Sequence, residues 1–209
     1  HVQYMLRPDG RVPMLNDADN RKAAPDLLAA GERHRRADFV YAATHGQRGT
    51  PPADNSHRFP WGRRAVLRSG WDANACYAIL EAAPFGYGHQ HEDALTVELF
   101  AHGQPLLGAM GRYTYADVPI RRYLTASEGH NAVLADGQGQ AQRSLAERLP
   151  KMAPRPGSWL AQAETHDPWV STPDLDVAYG CYCGPWSGGL EGINWERWLA
   201  FQKPSRERP

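Results

Sequence analysis

Short apolar segments separated by turns dominate the chain from residue 65 onward. They lie at 65–67, 75–80, 95–102, 105–107, 131–135, 176–183 and 195–201. The alternation of apolar and polar residues is clearest over 95–101, and this period of two is typical of a strand with one face buried. Several strands at regular spacing, joined by turns that contain glycine, predict a mainly β protein built as an antiparallel β-sandwich.

The first part of the chain has a different pattern. Pro25 and Asp26 suit the first turn of a helix, and apolar residues continue that helix to about Tyr41. Residues 45–64 are polar and rich in glycine and proline, which predicts a linker or a long loop that covers a cleft. We therefore divide the chain into a helical part with its linker, residues 1–62, and a β domain, residues 63–209.

Composition and charge narrow the function classes only slightly. The formal net charge of the 209 residues is zero, so we expect no general attraction to nucleic acid or to an anionic membrane. No apolar run approaches the roughly 20 residues of a membrane-spanning helix. Cys181 and Cys183 do not have the spacing of a zinc site, and two cysteines two apart on a strand bridge poorly.

The candidate chemistry begins with two histidines just before the most regular strand pattern. On a strand, His89 and His91 would project to the same face, and paired imidazoles suit metal binding or proton transfer. Gly86 and Gly88 allow the backbone to approach closely. His130 precedes another predicted strand, and three imidazoles brought together by strand pairing would fit a zinc site. The alternative is that these are ordinary strand histidines.

A patch of tyrosine and arginine follows the predicted strand pair. Its members are Tyr113, Tyr115, Tyr123, Arg112, Arg121 and Arg122. An arginine fork can pair with the carboxylate of a uronic acid, and a tyrosine hydroxyl can transfer a proton. In the alternative interpretation the tyrosines simply favour strands and the arginines are solvated. The tryptophans could stack on sugar faces or belong to the core.

An ordered series of motifs resembles the heparinase II/III-like polysaccharide lyases. The series occupies 6–10, 15–19, 83–95, 105–107, 111–115, 121–123 and 130–131, and the resemblance covers about residues 4–204. It implies an N-terminal (α/α) toroid, a stacked β-sandwich and a cleft between them. It also implies β-elimination of uronic-acid-containing polysaccharides of the heparan or alginate type, in the periplasm or outside the cell.

The resemblance implies that this chain is a central fragment of such an enzyme. Most of the toroid is missing from the sequence, so we expect the end of the helical domain followed by an incomplete sandwich, and a fragment that lacks a complete active site. The chain begins at His1 rather than at a methionine. We therefore expect either that a leader has been removed or that the sequence is a piece of a longer protein.

The resemblance also implies roles for single residues around an acidic polysaccharide or oligosaccharide. His89 would be the acid or base, or would neutralise the uronate carboxylate. Tyr115 is a weaker candidate for a substrate contact or proton donor. Arg112, Tyr113 and Arg122 are the predicted substrate-binding residues.

A structural zinc ion near the cleft is the cofactor that the resemblance implies. His91 and His130 would be its ligands. Ala109 stands where the family usually has an acidic zinc ligand, and alanine cannot bind metal. The acids that could replace it are Glu92, Asp93 and Glu128.

Two other classes of protein remain as alternatives. A cupin-like metal-binding β-barrel with oxidative or isomerase chemistry would place a glutamate three or four residues after the His-x-His pair. Here that window holds Leu95 and Thr96, and Glu98 comes later. The second alternative is a non-catalytic β module that binds sugars through tryptophan and arginine alone.

Overall fold

The computed structural model describes residues 2–83, 89–142 and 168–204. Within these residues, four α-helices have the bounds α1 (Val2–Met5), α2 (Ala24–His34), α3 (Ala37–Ala43) and α4 (Pro119–Thr125). The same described residues contain eight strands, which have the bounds β1 (His57–Phe59), β2 (Arg64–Arg68), β3 (Tyr77–Glu81), β4 (Thr96–Ala101), β5 (Gln104–Leu107), β6 (Trp169–Ser171), β7 (Leu175–Tyr182) and β8 (Trp195–Gln202). Gly86 and Gly88 lie outside the described residues. Among the described helices, none has both the length and the apolar character needed to cross a bilayer.

The strands form two antiparallel sheets that stack face to face. The first has the order β1-β2-β3-β4-β5 and the second has the order β6-β7-β8. Leu67 and Leu80 of the first sheet pack against Ala178 and Phe201 of the second. Leu95, directly before β4, joins the same cluster. The fold predicted from the sequence, a mainly β antiparallel sandwich after a short helical stretch, is confirmed.

The other face of the first sheet is covered by the N-terminal segment. Leu15 packs there against apolar side chains of β1, β2 and β3. As a result the polar residues of β4 are also buried, with Thr96 0% and Glu98 1% exposed. Glu98 forms an ion pair with Arg7 at 3.5 Å. The prediction of a strand with one solvated face was therefore wrong for β4.

Other elements also differ from the sequence prediction, and β1 lies within residues 45–64, which were predicted to be a linker or loop. The single helix expected to run to about Tyr41 is two helices, because Arg35 adopts a left-handed conformation with φ 54° and ends α2. The predicted strand over 131–135 is not a strand. The amide of Asn131 instead bonds both backbone groups of Val97, at 2.9 and 2.7 Å, and so occupies the place of a neighbouring strand.

The N-terminal segment folds back on itself and places its tip against the approach to β4. A bridge between Arg11 and Lys22 closes this loop, and the turn at its tip uses Asn16 with φ 54°. The backbone N–H of His91 donates to Asn16 Oδ1 at 3.2 Å, and that of Asp17 donates to the carbonyl of His89 at 3.2 Å. These contacts bring a carboxylate beside the histidine pair.

Candidate functional site

A single buried carboxylate connects three charged or titratable side chains of the site. Asp17 Oδ2 lies 3.0 Å from His89 Nδ1, and Asp17 Oδ1 lies 3.0 Å from His91 Nε2. Arg121 Nη2 lies 2.6 Å from the same Oδ1. Burial alone would raise the pKa of Asp17, but hydrogen bonds from His91, Arg121 and His89 outweigh it and hold that pKa below its ordinary value. Asp17 is therefore an ionised acceptor at neutral pH.

The ionised carboxylate fixes the protons of both imidazoles. A carboxylate can only accept, so His89 carries its proton on Nδ1 in this arrangement. Its Nε2 then holds the lone pair, on a side chain that is 73% exposed. His91 is fully buried and donates from Nε2 to Asp17, so the neutral form of this ring has its lone pair on Nδ1. His89 thus presents a basic nitrogen on an exposed ring, whereas the second nitrogen of His91 is buried.

The two histidines do not lie on a strand, contrary to prediction. β4 begins only at Thr96, and His89 has φ 55°. Asp17 accepts from both rings, and this shared partner, rather than strand alternation, brings the two imidazoles together.

Tyr115 and Arg112 stand beside the exposed imidazole. The Tyr115 hydroxyl is 3.1 Å from His89 Nδ1. The Arg112 guanidinium lies 5.0 Å from the centroid of the Tyr115 ring and pairs with Asp19 at 2.9 Å. Arg121 donates to the Arg112 carbonyl at 2.9 Å, which ties this group to the buried carboxylate. The structure therefore brings together His89, Tyr115 and Arg112.

The other two predicted substrate-binding residues are both exposed. Tyr113 is 70% exposed. Arg122 forms an exposed ion pair with Asp117 at 2.8 Å. Its neighbour on α4, Arg121, is the arginine that contacts Asp17 and His91. The roles of Tyr113 and Arg122 remain predictions.

A second group of ligating side chains lies behind the first. His91, Asp93 and His130 place one ligand atom each within 4.8 Å of one another, and the rings of His91 and His130 are 5.3 Å apart. In the part of the chain that the structure describes, Asp93 Oδ2 and both ring nitrogens of His130 are buried without a hydrogen-bond partner. His130 follows a 3₁₀ turn at Ser127–Gly129. The prediction that a strand begins here was wrong.

The electrostatics of this group suit a cation. Burial, together with His91, lowers the pKa of His130 to about 4. Burial, together with Glu81, raises the pKa of Asp93 to about 8. A neutral imidazole is the form that binds metal, and a divalent ion beside Asp93 would stabilise its ionised form. Nitrogen and carboxylate oxygen are ligands that zinc accepts, so the residues present fit such an ion.

Ala109 takes no part in this group. It packs in the apolar cluster beneath the N-terminal segment. Of the three acids considered as replacements, Asp93 is the one that lies with the histidines. Glu92 accepts from the backbone N–H of Gln142 at 2.8 Å, and Glu128 is exposed.

Sequence reasoning missed the two residues that organise the site. Asp17 entered only as part of the motif at 15–19, and Arg121 only as a member of the tyrosine and arginine patch. The sole local signal was the run of turn-forming residues at 15–20. It marks a loop tip but does not reveal what the tip contacts.

The fold and this site define an antiparallel β-sandwich with a histidine, tyrosine and arginine group at its junction with a helical segment. A family model described as Heparinase II/III-like, C-terminal, matches residues 51–177. The chain belongs to this family, which removes the cupin-like alternative.

Individual relatives agree with this assignment. A heparin-sulfate lyase of Pedobacter heparinus is 31% identical over 139 residues, which are 63% of this chain and 21% of the relative. A crystal structure of a mutant of the heparan sulfate lyase HepC from the same organism matches 96% of this chain and 29% of its own, with TM-score 0.73 and 22% identity. A heparinase III crystal structure matches 95% and 31%, with TM-score 0.67 and 16% identity. The chain thus spans less than a third of the length of these relatives.

Proposed function

We propose that this chain supplies the β-sheet side of the active site in a polysaccharide lyase that cleaves heparan-type, uronic-acid-containing polysaccharides by β-elimination. Family membership supports a lyase of this kind. The relatives are named as heparin-sulfate or heparan sulfate lyases, which favours that substrate class over alginate. The observation that carries the proposal is the Asp17–His89–Tyr115 arrangement. We place the protein in the periplasm or outside the cell, as the resemblance implies.

The arrangement can perform the proton transfers that β-elimination needs. A base removes the proton at C5 of the uronate, and an acid protonates the departing O4. With Nδ1–H held by Asp17, His89 takes the C5 proton on Nε2. Tyr115, beside that imidazole, donates its hydroxyl proton to the leaving oxygen.

The charge that develops on the uronate carboxylate needs a cation nearby. Arg112 supplies it by exchanging its exposed partner Asp19 for the carboxylate or a sulfate of the substrate. A guanidinium fork suits both of these anions. Arg121 keeps its ion pair with Asp17 and does not bind the substrate carboxylate.

We further propose that His91, Asp93 and His130 hold a divalent cation, with zinc the ion that the family resemblance favours. When bound, the ion would fix the His91 ring and would neutralise the charge of Asp93. His91 also donates to Asp17, so the ion would steady the carboxylate that orients His89. In this role the ion would be structural, and it would act on His89 only through His91 and Asp17.

The test is the ultraviolet absorbance of the unsaturated uronate product, measured on the longest natural protein that carries this sequence. We expect product from heparan sulfate, and a loss of about 10²–10⁴-fold in rate for His89→Ala, the range of a general acid or base. His34→Ala, on the exposed part of α2, is the matched control. Binding of heparan sulfate, alginate, chondroitin and hyaluronan without product would favour the sugar-binding alternative. Full activity of His89→Ala would remove His89 from the mechanism.

A further inference from the structure

Two thiols meet at the end of β7, on the side of the second sheet that faces away from the first. The Sγ atoms of Cys181 and Cys183 are 3.2 Å apart, and neither cysteine is in a disulfide. Tyr179, two residues earlier on this outer face, packs against Trp198 of β8 with ring centroids 4.6 Å apart and the ring planes tilted by 53°. The thiols are thus separate from the core side of β7, which carries Ala178.

The local backbone explains why the thiols approach each other. The pairing of β7 with β8 ends at Tyr182 and Trp195, so Cys183 lies beyond the ladder. Gly184 follows it with φ 92°, a conformation that glycine adopts without strain. Cα atoms two apart on a strand are about 6.6 Å from each other. That spacing falls at the upper end of the roughly 4.4–6.8 Å found across disulfides.

The sulfur separation favours a covalent bond over a metal. Two thiolates on one tetrahedral zinc ion stand about 3.8 Å apart, given Zn–S bonds of about 2.3 Å. The observed 3.2 Å is shorter. No third histidine, cysteine or carboxylate joins the pair as a metal group within the described residues. From spacing alone we expect these cysteines to bridge poorly. Their close sulfur contact favours a bridge despite that spacing.

We propose that Cys181 and Cys183 form a reversible intramolecular disulfide by exchange with low-molecular-weight disulfides. The thiolate of exposed Cys183 attacks one sulfur of the reagent, which releases the first small thiol and leaves a mixed disulfide. The thiolate of Cys181 then attacks Cys183 Sγ and releases the second small thiol. Two protein thiols are oxidised, one external disulfide is reduced, and the two protein protons end on the released thiols.

The order of attack follows from exposure. Cys183 is exposed and Cys181 is only partly so. Burial, and then the neighbouring thiol, raise the pKa of Cys181, which lowers its thiolate fraction toward an external reagent. Once the mixed disulfide has formed, Cys181 is already next to the sulfur that it must attack. Small thiols would reduce the bridge again by the same exchange in reverse.

The experiment uses the neutral reagent bis(2-hydroxyethyl) disulfide, because Glu196 lies opposite Cys181 on β8 and would bias a charged one. The background is Cys76→Ser, which removes the third cysteine. After exchange, free thiols are alkylated and the intact mass is measured. We expect loss of both alkylation sites without a retained adduct, and their full recovery after mild reduction. Adding Cys181→Ser should leave a persistent mixed disulfide on Cys183.

Three results would overturn the proposal. The first is that both thiols remain alkylatable after prolonged exchange. The second is that the adduct persists even with Cys181 present, and the third is that the disulfide links two chains on a non-reducing gel. Adding Cys183→Ser provides the matched comparison, since we expect the remaining Cys181 to react more slowly than Cys183 does in the Cys181→Ser protein. Equal rates would contradict the assigned order of attack.

Discussion

The most informative single change is Asp17→Asn, because it keeps the size of the side chain and removes the charge that organises the site. The asparagine oxygen can still accept from one side, but its NH₂ group must face a ring nitrogen on the other. His89 can meet that donor only by accepting at Nδ1, which moves its proton to Nε2. The substitution therefore inverts the tautomer that the ionised carboxylate imposes on His89.

The cost in stability can be worked from the contacts of Asp17. Hydrogen bonds to charged groups contribute about 1.5–3 kcal/mol each, and removing one partner of a buried ion pair costs about 3–5 kcal/mol. The carboxylate is buried, with 6% of the side chain exposed. Arg121, however, keeps its 2.9 Å bond to the Arg112 carbonyl. We therefore expect the free energy of unfolding to fall by about 2–4 kcal/mol, below the full cost of an orphaned buried charge.

Two measurements check this prediction. Urea unfolding gives the change in the free energy of unfolding, and ¹⁵N NMR of labelled histidine reports which nitrogen of His89 carries the proton. Asp19→Asn is the matched control, since Asp19 lies two residues away but is 65% exposed in its pair with Arg112. The reasoning is refuted if both variants lose the same stability, or if His89 keeps its proton on Nδ1 in Asp17→Asn.

Three further predictions concern the candidate metal group and two buried positions of the fold. Asp93→Asn should lower the affinity for zinc at least about tenfold, as judged by equilibrium dialysis and metal analysis, because a neutral amide is a poor ligand; unchanged zinc content would exclude Asp93 as a ligand. Asp176→Ala should lower the free energy of unfolding in urea by about 3–5 kcal/mol. The fully buried carboxylate accepts from two serine hydroxyls at 2.5 and 2.6 Å and pairs with a lysine at 2.7 Å. The control Asp174→Ala, at an exposed position, should lower it by no more than about 0.5 kcal/mol. Gly180→Ala should cost about 1–3 kcal/mol by overpacking, since its Cβ would lie 2.4 Å from Leu95 Cδ2, whereas a Cβ at Gly108 meets nothing within 4 Å; equal stability of the two alanine variants would contradict the close approach of the sheets.

The strands were predictable because their signals are local. β4, β7 and β8 lie within two residues of their predicted bounds, since alternation and flanking turns are visible in any short window. What alternation could not show is that a second layer covers the polar side of β4. Glu98 looks like a solvated residue until Arg7, 91 positions earlier, is placed against it. The segment that carries Arg7 has no regular pattern of its own, so its packing could not be inferred.

The elements that were predicted wrongly have equally specific causes. Arg35 is an ordinary helix residue, and nothing local indicates that it adopts a left-handed conformation. Asn131 satisfies the backbone of β4 with its side chain, and this mimics strand pairing without a strand. In both cases a single residue uses a conformation or hydrogen bond that averaged propensity does not represent.

The site itself follows from how the N-terminal segment is held. His89 and His91 were recognised as candidates from their spacing alone, but the residue that orients them is 72 and 74 positions away. That residue reaches them because Arg7 pairs with Glu98 and anchors the start of the segment to β4. The bridge between Arg11 and Lys22 then closes the loop whose tip carries Asp17. The orientation of the exposed imidazole therefore depends on an ion pair buried beneath the first sheet. The chemistry of the site is coupled to the docking of a segment that contributes the carboxylate positioning His89.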